Sequence, residues 1–196
     1  MTKSLQIFKS AFTSIYPELN EKEWEYLSNN CQQLQVPAKS VIIEEHKIQK
    51  HLFFLTSGLV RGYYTDKNGE EITIRFINNN GWVTHYSALI LNKTSNYIFQ
   101  TLEPSEIIAL PYSIVQKGYD KFKGLEKVGR LIAERVLITL QERIEGFQFL
   151  TAEERYLAFI ENYPELFNRV SLSHLSTYLG IKRQSLTRIR KKLLTR

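Results

Sequence analysis

Apolar positions along the chain change their spacing twice, from helical to strand and back, and each stretch predicts its own kind of element. Leu5, Phe8, Phe12 and Ile15 recur at helical intervals and predict a helix over residues 4–15. Asn20, with Glu23 three residues on, has the form of a capping box opening a second helix over 20–34, whose apolar face begins at Trp24 and Leu27. From Leu34 to about Tyr112 the pattern shortens to strands rich in β-branched and aromatic residues: 41–43, 52–55, 59–64, 71–77, 97–99 and 106–110. Asp66-Lys-Asn-Gly69 reads as a hairpin turn, and Gly58 and Gly81 mark further turns. No helix of useful length fits between these strands, so the stretch predicts an antiparallel barrel or double-sheet roll.

The helical period returns from about Leu125 to Phe147 and predicts one long helix. Val128, Ile132, Val136, Leu140 and Ile144 form one row, while Leu131 and Ile138 lie seven apart on another side. The polar wedge is narrow, holding Lys127, Arg130, Glu134, Gln141 and Glu145. A surface helix needs a single apolar stripe, so this one buries two sides. One faces the roll and the other the same helix of a second subunit, with burial wholly inside one subunit as the alternative. Thr151-Ala-Glu-Glu154 then caps a further helix through Tyr163, stopped by Pro164.

The last stretch has the tightest pattern. Ser171 is a natural N-cap; Leu172, Leu175 and Leu179 follow at helical spacing, and Gly180 stands where a C-cap needs positive φ. A second helix begins near Arg183 with the narrow stripe Leu186, Ile189 and Leu193. Its other face carries Gln184, Thr187, Arg188, Lys191 and Lys192. This is the layout of a helix-turn-helix whose second helix turns base-reading and phosphate-binding side chains outward.

Charge agrees independently. Of the chain's 26 Lys+Arg, eight fall in residues 166–196, where there is no Asp or Glu; the 18 that remain face 20 acidic residues. All of the net +6 therefore sits on the segment with the reading-helix pattern. Such clustering concentrates a polyanion and releases its counterions on contact. The rest of the composition, 43% hydrophobic and 23% charged, is that of an ordinary globular chain. The single cysteine, Cys31, expected as a half-buried helix residue, rules out an intrachain disulfide and an iron–sulfur cluster. No apolar run approaches a membrane span, and polar residues interrupt the N-terminus too early for a signal peptide, so a cytoplasmic protein is expected.

This order of elements resembles the bacterial Crp/Fnr family, that of the cyclic-AMP receptor protein and the fumarate–nitrate reduction regulator. The likeness is carried by Phe53-Phe-Leu-Thr-Ser-Gly58-Leu-Val-Arg61, by the Asp66–Gly69 turn, by Leu175-Ser-x-x-Leu-Gly-Ile181 and by Ser185-Leu-x-Arg188-Ile. It implies an α+β fold: a roll-type sensor domain with flanking helices over 1–118, a dimerisation helix over 119–147 and a helix-turn-helix domain over 148–196. It also implies a dimeric transcription regulator with palindromic duplex DNA, a second copy of itself and RNA polymerase as partners.

The family's nucleotide site holds a Gly-Glu pair for the ribose and an Arg followed by Ser or Thr for the phosphate. Here Thr84-His85 and Ser95-Asn96 stand at those positions. Burying a phosphate without a guanidinium is costly, so cyclic AMP is not expected to bind through the usual contacts. No cofactor is evident, and His46, His51, His85 and His174 show no haem or metal pattern. For DNA, the resemblance places Arg183, Gln184 and Arg188 at base edges, Arg suiting guanine and Gln adenine, with Thr187 on the same face. Phosphate contacts are expected from Ser171, Ser173, Lys182, Lys191, Lys192 and Arg196. A cupin-type enzyme would need a His-x-His pair that the chain lacks. A ligand-binding or interaction module, its basic tail touching protein, is the rival reading.

Overall fold

A computed structural model describes residues 1–194; Thr195 and Arg196, the latter an expected phosphate contact, lie outside the described residues. Contacts divide the chain into two compact units, residues 1–64 with 76–135, and residues 65–75 with 136–196.

The first unit opens with α1 (Lys3–Ile15), capped by Thr2, and α2 (Glu21–Ser28), opened by the Asn20–Glu23 capping box. The expected 20–34 helix is cut short. Asn30 Nδ2 donates back to the Tyr26 carbonyl at 2.8 Å, and residues 32–36 leave the helix to form β1 (Gln32–Val36). Gln32-Gln-Leu-Gln has no apolar helical stripe, whereas an extended strand finds backbone partners along the edge of the sheet. Cys31 is half-buried as expected, but in the link between helix and strand rather than in a helix.

The strands that follow are β2 (Val41–Ile43), β3 (His51–Ser57), β4 (Val60–Thr65), β5 (Glu71–Ile77), β6 (Gly81–Val83), β7 (Ile98–Thr101) and β8 (Ser105–Pro111). They form two four-stranded sheets, ordered β1-β8-β3-β6 and β2-β7-β4-β5. All the described pairings are antiparallel, with Phe54 opposite both Ile108 and Trp82 in one sheet and Gly62 opposite Phe99 in the other. Gly58 turns β3 into β4 with φ 117°, where a Cβ would also strike Ser105. Ile43, Leu55, Val60, Val83, Phe99 and Ile107 pack into one cluster. A second cluster packs Phe8, Phe12, Trp24 and Leu27 from the first two helices against Phe54, Trp82, Ile108 and Leu110. The structure is thus the mixed helix and antiparallel-sheet roll that the strand pattern predicts.

Three further elements fell below what the pattern resolves. Helix α3 (Tyr86–Ile90) and strand β6 are each under six residues. Helix α4 (Tyr112–Lys121) hides behind Gly118, a poor helix residue kept here because a Cβ would press on Leu125 and Tyr26. The long helix α5 (Lys123–Phe149) follows at once. Its first turn is held by the buried carboxylate of Glu23, which accepts from Gly124 N–H at 2.9 Å while its other oxygen closes the α2 capping box. One side chain therefore satisfies orphan donors at two helix starts. No helix among the described residues is long and apolar enough to cross a membrane.

In the second unit, α6 (Ala152–Asn162) opens on the Thr151–Glu154 capping box. A 3-10 turn (Pro164–Leu166) follows, then α7 (Leu172–Tyr178) and α8 (Arg183–Leu194). Ser171 caps α7 by accepting from His174 N–H, and Gly180 takes φ 67° between the two helices, both as the residues predict. The tip of the β4–β5 hairpin belongs to this unit. Thr73 N–H donates to Thr177 Oγ1 at 3.2 Å, and the two threonine hydroxyls lie 2.9 Å apart.

Candidate nucleic-acid interface

Packing decides which face of α8 is open. Leu186 is fully buried, together with Leu175 and Leu179 of the preceding helix and turn, so the opposite side must face solvent. Lys182, Arg183, Gln184, Thr187, Arg188, Lys191 and Lys192 are all exposed, as are Ser171 and Ser173 at the start of α7. The described residues expected to touch a duplex are therefore all accessible, at the start of α7, on α8 and in the turn between them.

Some of the side chains on this helix are already engaged. Thr187 Oγ1 donates to the Arg183 carbonyl one turn back at 3.1 Å, so reading a base would require its hydroxyl to turn outward. Lys192 Nζ lies 2.6 Å from Glu153 on α6, an exposed ion pair of little energetic weight. Arg190, which the pattern did not single out, lays its guanidinium over the Phe167 ring at 4.8 Å, which directs it to packing instead of outward.

The end of α7 is held by residues that the sequence did not flag. Arg143 Nη2 donates to the Tyr178 carbonyl at 3.1 Å, and its guanidinium stacks on the Tyr178 and Phe147 rings at 4.1 and 5.0 Å. Arg155 Nε donates to the Leu179 carbonyl at 3.0 Å and Nη1 to the Leu150 carbonyl at 2.7 Å, with Phe147 again beneath it at 5.1 Å. Burial lowers the pKa of the Arg143 guanidinium, though an arginine stays charged. The one available signal was the i, i+4 spacing of Arg143 and Phe147.

The long helix splits by exposure. Val128 is 1% exposed and belongs to the core of the first unit, against which Ile132 also packs, so Val128 leaves the set expected at a subunit face. Leu131 and Val136 are half-buried. Ile138, Leu140 and Ile144 lie open, joined by Leu137 and Phe147, which the row-by-row reading passed over. Leu137, Leu140, Ile144 and Phe147 follow each other by three, four and three residues, the spacing of a coiled-coil seam.

The roll positions expected to line an effector pocket form a closed polar network instead. Gln49 Nε2 donates to Thr84 Oγ1 at 2.6 Å, and Gln49 Oε1 accepts from His85 N–H at 3.1 Å. Ser95 Oγ donates to the Tyr97 carbonyl at 2.7 Å and accepts from Tyr97 N–H at 3.1 Å. Its only proton is then spent, so His85 Nδ1, 3.0 Å away, is the donor in that pair. His85 Nε2 is left as acceptor for the Ser87 hydroxyl at 2.9 Å. Partial burial lowers the pKa of the imidazole, which favours its neutral form. The Tyr97 ring lies 4.5 Å from it. Thr84, His85 and Ser95 are thus brought together, while Asn96 is exposed.

Comparison with known proteins bears on the fold. Residues 33–121 match the family described as the cyclic nucleotide-binding domain. No curated protein matches the chain. Among solved structures, FixK2 from Bradyrhizobium japonicum superposes with a TM-score of 0.72 at 15% identity, covering 84% of this chain and 85% of its own. The c-di-GMP responsive global regulator CLP from Xanthomonas campestris gives 0.70 at 18%, covering 90% and 92%. A chain from Eubacterium rectale, described as a transcriptional regulator of the crp/fnr family, gives 0.71 at 16%, covering 94% and 88%.

Proposed function

We propose that this chain, which has a cyclic nucleotide-binding type of roll and the fold of the Crp/Fnr regulators, is a dimeric, sequence-specific DNA-binding transcription regulator and not an enzyme. The observation that carries the reading is the open face of α8. Gln184, Arg188 and Lys191 are exposed opposite a fully buried Leu186, and Arg183 is exposed at the first turn, in a segment with eight basic and no acidic residues. In this reading α7 and α8 are a helix-turn-helix, with α8 in the major groove. Arg183 and Arg188 pair with guanine O6 and N7, Gln184 with adenine, and Lys191, Lys182, Ser171 and Ser173 grip the backbone.

Dimerisation follows from the open apolar seam Leu137, Leu140, Ile144 and Phe147. Four large apolar side chains at coiled-coil spacing on one exposed helix need a partner, and the same seam of a second copy is self-complementary. The two reading helices then meet half-sites about one helical turn, ~34 Å, apart.

The roll works in this protein without the usual cyclic-AMP contacts. What supports this is that Thr84 bonds to Gln49 and His85 to Ser95, and that none of these side chains is a carboxylate for the ribose or a guanidinium for the phosphate. Titration calorimetry with cyclic AMP is expected to give no heat at micromolar ligand; a saturating isotherm would reject this part. Replacing Leu140 and Ile144 together by Asp tests the dimer. Sedimentation is expected to shift to monomer and affinity for a palindrome to fall toward that for a half-site, whereas an unchanged dimer would place the interface elsewhere.

A further inference from the structure

We infer that Arg143 and Arg155 are positioning residues that set which half-site separation the two reading helices accept. The inference rests on the DNA-binding reading above and adds a determinant of specificity that touches no base.

A helix end leaves its last carbonyls without partners. Gly180 and the turn satisfy two of them: Gly180 N–H donates to the Thr177 carbonyl at 3.1 Å and Ile181 N–H to that of Ser176 at 3.0 Å. The next two carbonyls, of Tyr178 and Leu179, are taken one each by Arg143 from α5 and Arg155 from α6. A cation at this end also complements the helix dipole. Both guanidiniums rest on the same Phe147 ring, and Arg155 also bonds the Leu150 carbonyl at the end of α5. Gly180 closes the fourth side, where a Cβ would come 2.8 Å from the Phe147 ring.

What this arrangement fixes is direction. A planar fork that must meet a carbonyl while it sits over an aromatic ring has little rotational freedom, unlike an ammonium on a flexible stem. Arg143 and Phe147 flank Ile144 on the same turns that carry the exposed seam. The clamp therefore ties the end of α7, and through Gly180 the start of α8, to the stretch of α5 proposed to join two subunits. The angle between seam and reading helix, and so the separation of the two helices in a dimer, is set here.

The test uses full-length protein and a series of palindromes whose half-sites are moved apart or together by one base pair about one helical turn. Wild type is expected to prefer one separation by about tenfold over its neighbours, since a wrong separation must deform the duplex. The Arg143→Lys, Arg155→Lys variant keeps the charge but loses the fork and the stacking. Its preference is expected to flatten to about twofold or less, with base preference within each half-site unchanged. The single variants Arg143→Lys and Arg155→Lys, each losing one of the two forks, are expected to flatten it in part and serve if the double variant does not fold. A variant that loses affinity equally at every separation, or keeps the wild-type preference, overturns the inference and leaves the DNA-binding reading standing. Wild type with no preference for any palindrome over scrambled duplex overturns both.

Discussion

The basic helix and the polar cluster of the roll are built from the same kinds of side chain and behave in opposite ways. Around Ser95, each donor and acceptor described has found a partner inside the protein: one hydroxyl serves the imidazole, a carbonyl and an amide. On α8, Gln184 and Arg188 stand exposed on the face opposite a packed leucine, and Arg183 is exposed at the first turn. Polar groups satisfied internally gain little from a ligand, because binding must first break bonds already made. Polar groups held out on a rigid helix lose only their water, which a phosphate or base edge replaces. The contrast teaches that the identity of a polar residue says little about binding until its partners are known.

The comparison breaks most visibly if the closed cluster is opened. Ser95→Ala leaves the His85 Nδ1–H and the Tyr97 N–H without their acceptor in a fully buried spot. Thermal or urea unfolding is expected to show a loss of about 1–3 kcal/mol for each stranded group, and no change would mean the network is slack. On the open helix the same kind of truncation should spare the fold and affect the duplex. Arg188→Ala is expected to cost about 1–3 kcal/mol of binding and to relax preference at one base position, with the melting temperature unmoved; competition assays against single-base variants of the site decide it. Lys191→Ala is expected to weaken all sequences alike and to lower the salt slope of binding by about one.

A smaller effect sharpens the closed side. Burial holds the folded pKa of His85 below its ordinary value of 6.5, so the folded state takes up a proton less readily than the unfolded chain. Its contribution is complete above pH 6.5 and is lost as pH falls through the depressed folded value. Stability measured from pH 7 downward is therefore expected to fall less steeply in His85→Gln than in wild type; parallel curves would remove His85 from the account.

Most of the fold was legible because its signals are local. The Asn20, Thr151 and Ser171 caps and the Gly180 turn need only a few residues to be recognised, and each forms as its spacing predicts. Strand β5 occupies the whole of its predicted span for the same reason. What the pattern misassigned depends on distant partners. Gln32–Val36 has no periodic signal and becomes a strand because β8 offers backbone groups, and Val128 is core because α5 lies against the roll cluster along that side. The site divides in the same way. Exposure of the α8 residues followed from one buried leucine, whereas the Arg143–Phe147–Arg155 clamp joins three separate segments and could not be read from any one of them.

The central claim, that two copies of α8 read one duplex as a symmetric pair, is tested most directly by selecting bound fragments from random double-stranded DNA with the full-length protein. The account predicts enrichment of an inverted repeat with half-sites about one helical turn apart, whose recovery falls steeply as salt rises. Recovery of no common sequence, or of a single site without symmetry, would contradict it.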